Sequence, residues 1–219
     1  MSDIFREVDE EVRQDRALAF WNRYQLWFLV AAALVVIATA GWRFHLHRQQ
    51  ALAEETGARY LAAVQASRDG RPADAAASLD AIAREGTPGY RQLAALRAAD
   101  EYTAVDASRA LKSFEALASD TSLDPLFRDV ARLRAGMLRL DAGDSRGAQA
   151  YLTPLAGGNN PFRSTARELL AAAAISADDF ETAGRWLDEI VRDPAAPQDV
   201  RGRAEAFLGL VRSGRRAAK

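Results

Sequence analysis

Apolar positions along this chain follow two regimes. Between Arg23 and Arg43 they run unbroken: Tyr24 to Trp42, YQLWFLVAAALVVIATAGW, is 19 residues without a charge. From about residue 46 onward they recur at three- and four-residue intervals in stretches rich in Ala and Leu, the spacing of one helical face, with no strand-like alternation. The pattern predicts an all-α chain, with one N-terminal transmembrane helix followed by a series of amphipathic helices.

A helix over Tyr24–Trp42 rises about 28 Å, close to the hydrocarbon thickness of a bilayer. Trp21, Tyr24 and Trp27 gather at one end and Trp42 and Phe44 at the other, where amphipathic rings favour the headgroup level. Eight strongly apolar residues, Leu26, Phe28, Leu29, Val30 and Leu34 to Ile37, favour insertion by about 2 to 5 kcal/mol in sum. The rival reading is a cleaved signal peptide, because Ala38-Thr39-Ala40 fits the small-x-small cleavage pattern. A long acidic segment ahead of the run, and a run longer than a signal core of about 7 to 15 residues, favour a retained span.

Residues 1–23 carry six acids and four arginines, and Ile4, Phe5, Val8 and Val12 share one helical face. This reads as a short amphipathic helix at the membrane surface, capped by Ser2. Arg6, Arg13, Arg16 and Arg23 on this side, against Arg43, Arg48 and Arg59 on the other, tip the count only slightly toward a cytoplasmic N-terminus. The expected organisation is residues 1–23 as the amphipathic segment, 24–43 as the span, 44–58 as a juxtamembrane helix, 59–212 as a helical repeat domain and 213–219 as a basic flexible tail.

The repeat is legible in four aligned segments: 69–88, 105–120, 142–161 and 177–194. Ala75, Ala110, Ala148 and Ala183 correspond, at separations of 35, 38 and 35. Four positions later stand Leu79, Phe114, Leu152 and Leu187, followed by Ile82, Leu117, Leu155 and Ile190. A second small-residue register, Ala63, Ala98, Gly136 and Ala171, lies twelve residues ahead of the first. Gly70, Gly143 and Asp178 sit at the sharp turns, and Pro88, Pro125, Pro161 and Pro194 punctuate the exits. The unit is helix, turn, helix, loop, repeated about four times and closed by a capping helix over 199–211.

These two registers of small residues, the large apolar residue four later, the closing proline and the run DDFETA at 178–183 resemble the tetratricopeptide repeat, whose usual period is about 34. The hallmark aromatic positions of that repeat's first helix are mostly absent, and one join stretches to 38.

Composition narrows the chemistry. A formal net charge of −1 gives no nucleic-acid footprint, and the absence of cysteine excludes disulfides, thiolate metal sites and a cysteine nucleophile. His45 and His47 form a lone H-x-H beside the apolar run, a poor metal site without further ligands. Neither a nucleophile elbow, a phosphate loop nor a dinucleotide fingerprint occurs, and acid pairs such as Asp178-Asp179 read as helix caps. No enzyme and no cofactor are expected. What remains is surface. The inner side of a stacked array, lined by each unit's first helix, is the usual place for a protein partner. The partner-binding candidates there are Tyr90, Arg91, Arg97, Tyr102, Phe127, Arg128, Arg134, Phe162, Arg163 and Arg167. The alternative, aromatics packed between units and arginines solvating the outside, stands open at this point.

Taken whole, the opening MSDIFREVDEEVRQDRA, the span and the repeats resemble the YfgM-like ancillary subunits of the bacterial Sec translocon. That resemblance implies an inner-membrane anchor with a cytoplasmic N-terminus and a periplasmic repeat domain. It implies as partners the lipid bilayer, the SecYEG channel and a membrane-anchored peptidyl-prolyl isomerase-type chaperone, in the service of secretion. An assembly adaptor for cytochrome maturation or cell division, on the same scaffold, is the other reading.

Overall fold

The computed structural model describes residues 3–217, with side chains from residue 21 to 213 apart from 22 and 28. Ser2 and the side chains of Ile4, Phe5, Val8 and Val12 lie outside the described residues, as do 218–219 of the tail. All regular elements among the described residues are helical. They are α1 (Asp3–Arg68), α2 (Pro72–Glu85), α3 (Pro88–Tyr102), α4 (Ala107–Ser119), α5 (Pro125–Asp141), α6 (Ser145–Leu152), α7 (Arg163–Ser176), α8 (Phe180–Arg192) and α9 (Gln198–Ala217). A 3₁₀ turn, Thr153–Leu155, extends α6, where Pro154 removes an amide donor and tightens the chain. The helix α9 runs past 211, the expected end of the capping helix, to Ala217.

Two compact units divide the chain, Met1–Glu54 and Glu55–Lys219. The first is helix alone. Its apolar run is long and apolar enough to cross a membrane, and among the described residues none of the run is buried. Leu26, Trp27, Leu34 and Ile37 are all more than three-fifths exposed. A soluble core helix would hide these side chains.

The second unit is a stack of helix pairs. The end of α1 pairs with α2, α3 with α4, α5 with α6 and α7 with α8, and α9 closes against α8. The first helices also touch one another, α3 with α5, α5 with α7 and α7 with α9, forming a continuous row. Packing follows the two registers. Ala63, Ala75, Ala98, Ala110, Ala148, Ala171 and Ala183 are each at most 2 % exposed, and the side chains of Leu79, Phe114, Leu152 and Leu187 fill the space they leave. Small residues allow the close helix approach, and the large residue four later, on the same face, occupies the neighbouring gap. At Gly136 the approach is extreme, since a Cβ would lie 2.6 Å from the Leu152 side chain.

The turns within each pair carry the left-handed backbone that the sequence marks. Gly70 and Gly143 have φ of +76° and +77°, and Asp178 takes φ +57°. One residue beyond each of the last two, Asp144 and Asp179 accept the amides of Gly147 and Thr182 and cap α6 and α8. Asp106 caps α4 through the amide of Arg109. The acid pair Asp178-Asp179 is therefore used for a turn and a cap.

Candidate partner-binding groove

Between α3 and α5 the row of first helices leaves a cleft of about 370 Å³. Phe114 of α4 forms its floor; its walls are Tyr60 of α1, Leu93, Leu96, Arg97 and Asp100 of α3, and Leu126, Phe127, Val130 and Arg134 of α5. The helical period places Leu93, Leu96, Arg97 and Asp100 on one face, which α5 covers only in part. Leu93 is consequently 40 % exposed and Leu126 51 % exposed, large apolar side chains at the rim of an apolar hollow.

The charged residues of the rim are engaged with one another. Arg97 sits 2.7 Å from the buried Glu101 carboxylate and 3.7 Å from Asp100, and Arg134 reaches Asp100 at 3.3 Å. Ser67 donates to Glu101 at 2.8 Å and accepts from Arg97. Two guanidinium groups thus meet two carboxylates. Burial pushes the Tyr60 phenol up, opposed by the charge of Arg97.

Of the ten residues expected from the sequence, Arg97, Phe127 and Arg134 line this cleft. Tyr90 packs into the core of the first two pairs, its ring 5.8 Å from that of Tyr60 and its hydroxyl against Gly57. Tyr102 is buried; its hydroxyl donates to Asp80, and the Arg109 guanidinium lies 3.8 Å over its ring while bonding the same carboxylate. Arg91 is exposed at a separate cavity of about 460 Å³ with Gln92, Asp120 and Ser122. Arg128 is half-buried, with Nε enclosed and lacking a hydrogen-bond partner. Phe162 is half-buried at the start of α7.

Arg163 and Arg167 are spent on the loop after α8. Arg163 grips Asp193 through two bonds of 2.6 and 3.1 Å; Arg167 adds a contact to Asp193 and donates to the Ala156 carbonyl at 2.9 Å. From the other side, Arg201 donates to the Asp193 carbonyl at 3.0 Å. The Arg163 fork, with the Ala195 amide, holds the Asp193 carboxyl down at about 2. Tyr60, Leu93, Leu96, Leu126 and Val130 are cleft residues that sequence reasoning passed over. For Leu93 and Leu96 the signal was an apolar residue on the side of a first helix away from its small residue, Ala98; Tyr60 stands one turn from Ala63 and reads as core.

A family model described as tetratricopeptide repeat-like domain matches residues 18–183, which takes in the apolar run, the first three pairs and the start of the fourth. The chain belongs to the tetratricopeptide repeat-like family. Neither the curated proteins nor the solved structures contain a match to it. Such repeats serve as protein–protein interaction modules. The cleft lies between the first helices of two successive pairs, α3 and α5.

Proposed function

We propose that this chain is a non-enzymatic interaction module, tethered to the bacterial inner membrane with its repeat domain in the periplasm, that assists Sec-dependent secretion by linking the translocon to periplasmic chaperones. The observation that carries the reading is the joining, in one chain, of an apolar helix whose described side chains stand exposed along the run and a repeat domain with an open apolar cleft. The family match begins at residue 18 and so includes the apolar helix with the repeats. The choice of SecYEG and a peptidyl-prolyl isomerase-type chaperone rests on the likeness of the opening MSDIFREVDEEVRQDRA, the span and the repeats to the YfgM-like subunits. Tethering raises the effective concentration of the cleft beside membrane partners, so weak individual contacts suffice.

Crosslinking in intact cells, then purification from the membrane, tests the assignment. Recovery of translocon subunits supports it. Recovery of cytochrome-maturation or division proteins instead would move the same scaffold to another envelope process. A reporter fused after Lys219 tests topology: activity in the periplasm agrees with the reading, and activity in the cytoplasm contradicts it.

A further inference from the structure

A second cleft, of about 380 Å³, opens between α7 and α9. It is equivalent to the first in the repeat. Leu187 of α8 forms its floor as Phe114 of α4 forms the other, and these two residues share a register; Leu169 takes the place of Leu96. Phe207 and Leu210 stand at its rim, 41 % and 54 % exposed. The charged lining residue is Glu168, and it too is already engaged, accepting from Arg203 at 2.6 and 2.9 Å.

Both clefts therefore share one design: an apolar floor, large exposed apolar residues at the rim, and rim charges ion-paired within the protein, with Arg97 Nε and Glu101 Oε1 of the first cleft buried without a hydrogen bond. A charged ligand residue placed there would lose hydration without finding a free counter-charge. An apolar side chain would lose only water contact. We propose that each cleft receives a large apolar side chain from an uncharged stretch of partner polypeptide, the kind of stretch that a folded soluble protein buries. This deepens, and rests on, the reading of the first-helix row as the partner surface. It differs from a carboxylate clamp, in which unpaired basic residues grip an acidic peptide end and the complex weakens as salt screens the charges.

The test uses the full chain in lipid nanodiscs, with empty nanodiscs as the blank. Fluorescence anisotropy would track a soluble twelve-residue peptide carrying Leu and Phe among Ser, Gly and Asn, and two variants in which a pair of the polar residues becomes Asp or Lys. The expected result is tightest binding of the uncharged peptide, at least ten-fold over either charged variant. Its affinity should change less than two-fold between low and high salt. Leu126→Glu and Phe207→Glu, both at exposed positions, should each weaken it about ten-fold with an unchanged helical signal and melting curve.

Preference for the acidic peptide, with affinity falling as salt rises, would overturn the proposal and leave the first-helix row as the partner surface. Unchanged binding in both glutamate variants would also overturn it, since the peptide would then sit elsewhere. Failure of all three peptides overturns it as well. In that case crosslinks from Leu126 in cells separate the two readings: their presence keeps the partner surface, and their absence removes both.

Discussion

Phe114 carries two roles at once, as core filler at 1 % exposure and as the floor of the first cleft. Truncation to Ala should cost about 3 to 5 kcal/mol in denaturant unfolding. Leu126→Ala, half-exposed on the wall above, should leave stability nearly unchanged, so the two variants separate packing from recognition. Asp193 anchors Arg163 and Arg167 on the loop between α8 and α9. Asp193→Asn weakens a charge-assisted fork and should cost about 1 to 3 kcal/mol. The same carboxyl sets an acid limit. Its folded pKa, about 2, is below that of the unfolded chain, so its contribution is complete above about pH 4 and is lost as pH falls toward 2. Asp144 and Asp179 are held down in the same direction, chiefly by the amides of Gly147 and Thr182. Acid titration of the helical signal should show this loss shifted in the Asp193→Asn variant.

At the scale of helices and turns, what the sequence made legible is the part governed by local sterics and period. Small residues twelve apart and a large one four later are the packing register itself, which is why the four pairs can be aligned by eye. Gly70 and Gly143 mark left-handed turns because few other residues take that backbone. Asp178 does the same at φ +57°, and Asp178→Gly should therefore raise stability by up to about 1 kcal/mol, read as a shift in the melting curve. Asp179→Ala, which removes the cap of α8, should lower it by about 1 kcal/mol. The site was less legible. Arg97 and Arg163 look alike in sequence, each an arginine of a first helix within a turn or two of an aromatic residue. The first faces Glu101 at the cleft, and the second faces an aspartate 30 residues away, in a loop whose path no local pattern encodes. Exposed leucines such as Leu93 and Leu126 were invisible for a related reason. A helical apolar position is read as core, and only the packing shows that a neighbour covers it in part, as at Leu93 and Leu126.

For the whole molecule, a helix whose described apolar residues stand exposed and a repeat domain with open apolar clefts belong together if the membrane covers the first and a protein the second. Leu34→Arg, at the centre of the run, carries an insertion cost of about 2.5 to 3.5 kcal/mol and should move a measurable share of the protein out of the membrane fraction. The repeat domain of that variant should keep its melting transition, because its core lies within Glu55–Lys219. The most direct test of the central claim is photo-crosslinking in cells from single positions of the full chain. One probe at Leu126 lies on the wall of the cleft; the other, at the exposed Ala116 of α4, lies on a second helix. The account predicts discrete adducts with translocon or chaperone proteins from position 126 and none from 116. Equal adducts from both positions, or adducts from 116 alone, would contradict it.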